Sequence, residues 1–283
     1  MQSSNGIRSW SEIVAEKRKQ QASLLAQWTN VEITQEEVAI TSISDASLLY
    51  QQIASKKLSS VSVATAYIKS AVSAHQRTNC LTEICFNEAL ARARKLDEHI
   101  AVHGKSVGPL HGIPITLKDQ FDVKGFDTTL GYVARAGHPA SENAVLVNIL
   151  ESLGAVILAK TNLPQSIMWS ETDNPLWGLT TNPRNPAFTP GGSSGGEGAV
   201  LALHGSLIGF GTDIGGSIRS PSHINGLYGL KPSVRVLSRT QPLDAKHLAR
   251  ADVCRMQVFR CQQKDKSTYL PSSVQWHALS PLS

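Results

Sequence analysis

Two serines set among glycines and one lysine at the end of an apolar run are the residues of this chain best suited to covalent chemistry. Ser193 lies within Gly191-Gly192-Ser193-Ser194-Gly195-Gly196-Glu197-Gly198, and Ser217 within Gly211-Thr212-Asp213-Ile214-Gly215-Gly216-Ser217-Ile218-Arg219. Lys118 closes the run Gly112-Ile113-Pro114-Ile115-Thr116-Leu117-Lys118-Asp119. Glycine lets the backbone approach closely, so main-chain N–H groups can converge on a single substrate oxygen. The successive N–H groups of Ile214, Gly215 and Gly216 could do so for the oxyanion of an attacked carbonyl, which makes Ser217 the candidate nucleophile. A serine hydroxyl needs a base at neutral pH, and no histidine lies in the glycine-rich turns. Lys118 can serve if it is uncharged, a state that burial at the end of a strand favours. Ser193 would stand between Lys118 and Ser217 and pass the proton, a Ser-Ser-Lys variant of triad logic.

Plainer readings compete. A Gly/Ser tract is often a linker, yet this one carries Glu197 and leads straight into an apolar segment. A phosphate loop would want Gly-Lys-Ser/Thr where this chain has Gly196-Glu197-Gly198, and an acid there repels phosphate. His99 and His103 stand four apart, a spacing that could clasp zinc on a helix, but no third ligand accompanies them, so no metal is expected. Neither is an organic cofactor. Met168, Trp169 and Trp177 flank a long loop and could line a substrate pocket or simply pack.

These groups need elements to hold them. Residues 8–28 read as an amphipathic helix. Ser44-Asp45 signals a helix over 46–56, Ser59-Ser60 another to about 75, and 83–101 a third, with a short strand at 82–86. Residues 113–117 and 155–159 read as buried strands. Between them Ser141 can cap a helix whose apolar face is Val145, Leu146, Ile149, Leu150 and Leu153, with Gly154 placed to end it. Residues 172–192, rich in Asn-Pro pairs, form a long loop of the kind that is usually functional or disordered. The glycine cluster opens a helix to about Leu203, and 206–211 is a third buried strand. Helices wedged between apolar strands predict an α/β fold, a mixed, mostly parallel sheet covered by helices.

At 283 residues the chain suits one domain or two. The organisation expected is an N-terminal helical segment at 1–44, a main domain at 45–233 and an atypical basic tail at 234–283. The net charge of +5 comes wholly from that tail, which holds eight basic residues against three acidic ones. A basic stripe across the body, which nucleic acid would require, is therefore not expected. No apolar run approaches the ~20 residues of a membrane span. The first thirty residues mix Glu12, Glu16, Lys17, Arg18 and Lys19 without a continuous apolar segment, so cytoplasmic residence is expected. Cys80, Cys85, Cys254 and Cys261 lack CxxC spacing and read as free thiols.

The two glycine-framed serines with the upstream lysine resemble the amidase signature family of hydrolases, over roughly residues 45–233. The resemblance implies Lys118 as base, Ser193 as bridging serine with a cis Gly192-Ser193 peptide, and Ser217 as acylating serine. It also implies an oxyanion hole at Ile214, Gly215 and Gly216, with Ser194, Asp213 and Arg219 supporting the turns. The substrate would be a small-molecule amide, hydrolysed through an acyl-enzyme. Asn79-Cys80-Leu81-Thr82-Glu83 and the Trp-containing N-terminal helix look most like fungal acetamidase-type enzymes. Gly226-Leu227-Tyr228-Gly229-Leu230-Lys231-Pro232-Ser233 fits the family, after which its continuation into a long second half is not met. A retained intron or shifted reading frame would explain this, as would a divergent C-terminal helix. A truncated, non-catalytic remnant and a glutamine-dependent amidotransferase subunit are the rival functions, and a homodimer is left open.

Overall fold

A computed structural model describes residues 8–232. Its first four helices begin where short polar side chains take up free N–H groups. Helix α1 (Trp10–Ala26) starts at a capping box of Ser9 and Glu12, and α2 (Gln35–Thr41) at one of Thr34 and Glu37. Asp45 caps α3 (Ala46–Ala54), and Ser59 caps α4 (Ser60–Thr78). Asn79, in the left-handed region at φ 54°, ends α4 and feeds the chain into β1 (Leu81–Ile84). Helix α5 (Phe86–His103) follows and ends at Gly104.

The site-bearing half begins at β2 (Pro114–Lys118). Helix α6 (Val145–Ser152) leads through Gly154, at φ 94°, into β3 (Val156–Thr161). A β-carbon on Gly154 would press on the backbone of His111, so the reversal needs both the sign of φ and the missing side chain. Helix α7 (Gly195–Ala202), β4 (Ile208–Phe210) and α8 (Arg219–Asn225) complete the series.

The strand order is β1-β3-β2-β4, with β2 parallel to both β3 and β4, and β1 antiparallel to β3. This is the mixed, mostly parallel sheet expected from the sequence. Every residue of β2 and β3 is buried. That suits central strands covered on both faces. Helices α4, α5 and α7 pack on the sheet, and one large core joins Tyr67, Leu96, Leu117, Leu158 and Val200. Leu25 of α1 and Ile40 of α2 belong to the same core.

The sequence reading needs several adjustments. Ser141 does not cap α6, which starts at Val145 after an uncapped Ala144. The preceding segment is instead tied sideways, Ala144 N–H donating to the Asp122 carbonyl and Lys124 N–H to Asn143 Oδ1. The first central strand extends to Lys118 itself. Helices α2 and α8 were not anticipated. Cys80 and Cys85 are buried free thiols, while Cys254, Cys261 and the basic tail lie outside the described residues. No helix among the described residues is long and apolar enough to cross a membrane.

Leu117 is fully buried at the centre of the sheet. Leu117→Ala should cost about 2–5 kcal/mol in urea unfolding, whereas Val102→Ala, at a position 76% exposed, should stay within about 0.5 kcal/mol.

Candidate active site

Thr116 and Lys118 alternate with Leu117 along β2 and so share one face of the sheet. At the C-terminal end of that strand Lys118 is fully buried. Its Nζ lies 2.6 Å from Ser193 Oγ and 3.1 Å from Thr212 Oγ1. The Thr212 hydroxyl donates onward to Gln120 Oε1 at 2.7 Å, which leaves its oxygen free to accept from Lys118. Burial, the dominant cause, pulls the Lys118 amine down to about 7, against the opposing pull of the Glu197 and Asp213 carboxylates. An amine in this setting exchanges its proton near neutral pH, as a general base must.

Ser193 stands just ahead of α7, on a chain held from both sides. The Gly192–Ser193 peptide is cis. Thr172 Oγ1 donates to the Gly191 carbonyl at 2.9 Å and accepts the Gly195 N–H at 3.2 Å. Asn225 of α8 donates to the Pro190 carbonyl at 2.7 Å. The long loop at 172–192 is therefore a brace for the serine turn. Its asparagines tie it down: Asn174 donates to Asn162 Oδ1 and to the Leu163 carbonyl, and accepts the Trp177 N–H. Trp177 is a packing residue, buried with its Nε1 donating to Thr129 Oγ1, whereas Met168 and Trp169 are largely exposed.

The second serine turn is organised around Asp213. Its buried carboxylate accepts N–H groups from Gly216 (2.7 Å), Ile218 (3.0 Å) and Arg219 (3.2 Å), and the guanidinium of Arg219 at 3.0 and 2.9 Å. Burial opposes its charge, but the Arg219 fork and the three N–H donors outweigh that and hold the carboxyl far below its ordinary range. Ser194 N–H donates to the Ser217 carbonyl at 3.2 Å, so the two turns are stitched together. Among the described residues no hydrogen bond joins the Ser193 and Ser217 hydroxyls. Of the three N–H groups expected to face an oxyanion, that of Gly216 is taken by Asp213. Ile214 and Gly215 are exposed. The expected third donor is held by a buried carboxylate, a strong charge-assisted acceptor.

Sequence reasoning missed Thr212, Gln120 and Glu197 as parts of this site. Glu197, read only as an obstacle to phosphate, is fully buried and accepts from Thr116 Oγ1 at 2.7 Å and Thr161 Oγ1 at 2.8 Å. Burial, more than these hydroxyls can offset, pushes its carboxyl up to about 8. The polar Thr116 and Lys118, alternating in an otherwise apolar strand, were the available signal. His99 and His103, the pair weighed for zinc, lie 4.4 Å apart between ring centroids with their planes tilted by 44°, and no group of potential ligands among the described residues could hold a metal ion.

With this geometry in place, the match to known proteins has a structural counterpart. The amidase family model matches residues 62–251. The chain belongs to the amidase family. It is 58% identical over 226 residues to Amidase 1 of Gibberella moniliformis, covering 80% of this chain and 43% of that protein. It is 43% identical over 243 residues to an acetamidase of Emericella nidulans, again over 80% of this chain and 44% of that one. Among solved structures a fatty acid amide hydrolase superposes with a TM-score of 0.71 at 40% identity, over 83% of this chain and 40% of that chain. The chain thus spans less than half the length of the relatives it matches, and the family match runs past residue 233, where the resemblance was expected to end.

Lys118 carries a linkage to stability. The folded state refuses until about pH 7 a proton that the unfolded chain accepts near 10.5. Stability therefore falls as pH drops from about 10.5 to about 7 and levels off below. Urea midpoints measured across that window should decline less in Lys118→Met than in the wild type.

Proposed function

We propose that the chain encodes amidase chemistry run by Ser217, Ser193 and Lys118. The observation that carries this is the 2.6 Å contact between Lys118 Nζ and Ser193 Oγ, at a place buried enough to favour the uncharged amine. Lys118 draws a proton from Ser193, which takes one from Ser217 as Ser217 Oγ bonds to the amide carbon. Backbone N–H groups of Ile214 and Gly215 meet the oxyanion, with Asp213, which holds the Gly216 N–H, and Arg219 fixing that turn and Ser194 tying it to the relay. The relay proton then passes to the leaving nitrogen, which departs as ammonia or an amine. Water repeats the sequence on the acyl-enzyme and releases the carboxylic acid, with no group beyond the chain's own residues taking part. The relatives' names, amidase and acetamidase, support a carboxylic acid amide as the substrate class.

Labelling with a serine-directed fluorophosphonate, mapped by mass spectrometry, tests this reading. Ser217 should be the modified residue, and the rate should rise with pH through about 7 as Lys118 loses its proton. Lys118→Ala should slow labelling by about 10²–10⁴-fold, and Ser217→Ala should abolish it. Equal labelling in Ser217→Ala would end the proposal.

A further inference from the structure

Glu197 has a seat built for it. Thr116, one of its two hydroxyl partners, stands two residues before Lys118 on β2, and the other, Thr161, is the register partner of Lys118 on β3. The third side is Gly209 of β4, the register partner of Thr116, where a β-carbon would overlap Glu197 Oε2. Three strands thus present two hydroxyls and a bare backbone to one carboxyl, on the face of the sheet that carries Lys118. Two residues along a strand span about 6.5 Å and neighbouring strands lie about 4.8 Å apart, so the carboxyl is held within close electrostatic reach of the amine.

We infer that Glu197 is a positioning residue, the buried counter-group that governs how readily Lys118 gains and releases the relay proton. This rests on reading Lys118 as the base. Glu197 makes and breaks no bond to substrate, and the relay proton still runs from Ser217 through Ser193 to Nζ. When Lys118 becomes an ammonium, ionisation of Glu197 becomes easier, and the resulting carboxylate holds the ammonium in turn, so the two titrate as one unit. Among the described residues, few other ionisable groups act on the pair. Asp213 acts on Lys118 from the loop between β4 and α8. On the Glu197 side stands the Cys80 thiol, which burial pushes up to about 12 and so keeps neutral. Asp119 and Lys160 alternate onto the opposite face of the sheet, where they meet each other at 3.7 Å.

The test follows the titration of Lys118 by NMR in protein labelled with carbon-13 at lysine Cε, the resonance being assigned by its loss in Lys118→Ala. In Glu197→Gln the Lys118 midpoint should fall by about one pH unit, a tenfold weaker hold on the proton. Thr116→Val removes one donor to the carboxylate while nearly keeping the shape of the site. It should move the midpoint the same way by a smaller step, and it decides the matter if Glu197→Gln fails to fold. A merely structural Glu197 would lower the unfolding midpoint and leave the titration unmoved. A Lys118 midpoint within about 0.3 units of wild type in both variants, or a Lys118 charged throughout, overturns the inference. A shifted midpoint in a protein whose Ser217 resists fluorophosphonate would uphold the Lys118–Glu197 pair and count against the nucleophile reading alone.

Discussion

The amine of Lys118, taken wholly out of water, is the constraint to which the surrounding structure answers. A buried ammonium without compensation is expensive, and the chain surrounds this one with groups that tolerate either protonation state. Ser193 and Thr212 offer hydroxyl oxygens to it, and Gln120 orients the Thr212 hydroxyl so that a lone pair faces the amine. Such a network needs fixed strands beneath it, which accounts for placing Lys118 on the doubly flanked β2 instead of on a loop.

The same sheet carries a second polar system on its other face. Asp119 accepts the N–H groups of Thr129 and Leu130 and the hydroxyls of Thr82 and Thr129, and Lys160 donates to the Asp127 carbonyl and to Thr128. Lys17 of α1 reaches both Glu83 and Asp127, at 2.7 and 2.6 Å. Here two lysines face three carboxylates, and each carboxylate has an ion-pair partner, so the cluster reads as a clasp between α1 and the sheet. On the Lys118 side the amine meets two hydroxyls, and among the described residues no carboxylate forms an ion pair with it.

Much of this was legible in the sequence because the informative residues are of unusual type and local in effect. Glycines beside serines, a lysine closing an apolar strand, and caps such as Asp45 and Ser59 depend on near neighbours. Helix α2 was also within reach, since Thr34 and Glu37 form the spacing of a capping box, but its seven residues are too short for periodicity to stand out. What stayed hidden depends on partners far along the chain. Thr161 meets Glu197 only because β3 lies beside β2, and Asn225 reaches Pro190 only once α8 folds against the serine turn. The asparagines of the long loop likewise look like turn formers in sequence, and become cross-braces only in three dimensions.

Ser193 and Glu197 are four residues apart, one just before α7 and one in its first turn, and both bear on the surroundings of Lys118. One helical turn separates them, so they travel as a single rigid part. A slide or rotation of α7 along the sheet would draw the hydroxyl and the carboxyl away from the amine together. Inserting one residue at 194–196 would swing one against the other by about 100°, given 3.6 residues per turn. The spacing of the glycine-serine tract is therefore a ruler, intolerant of any change in its length.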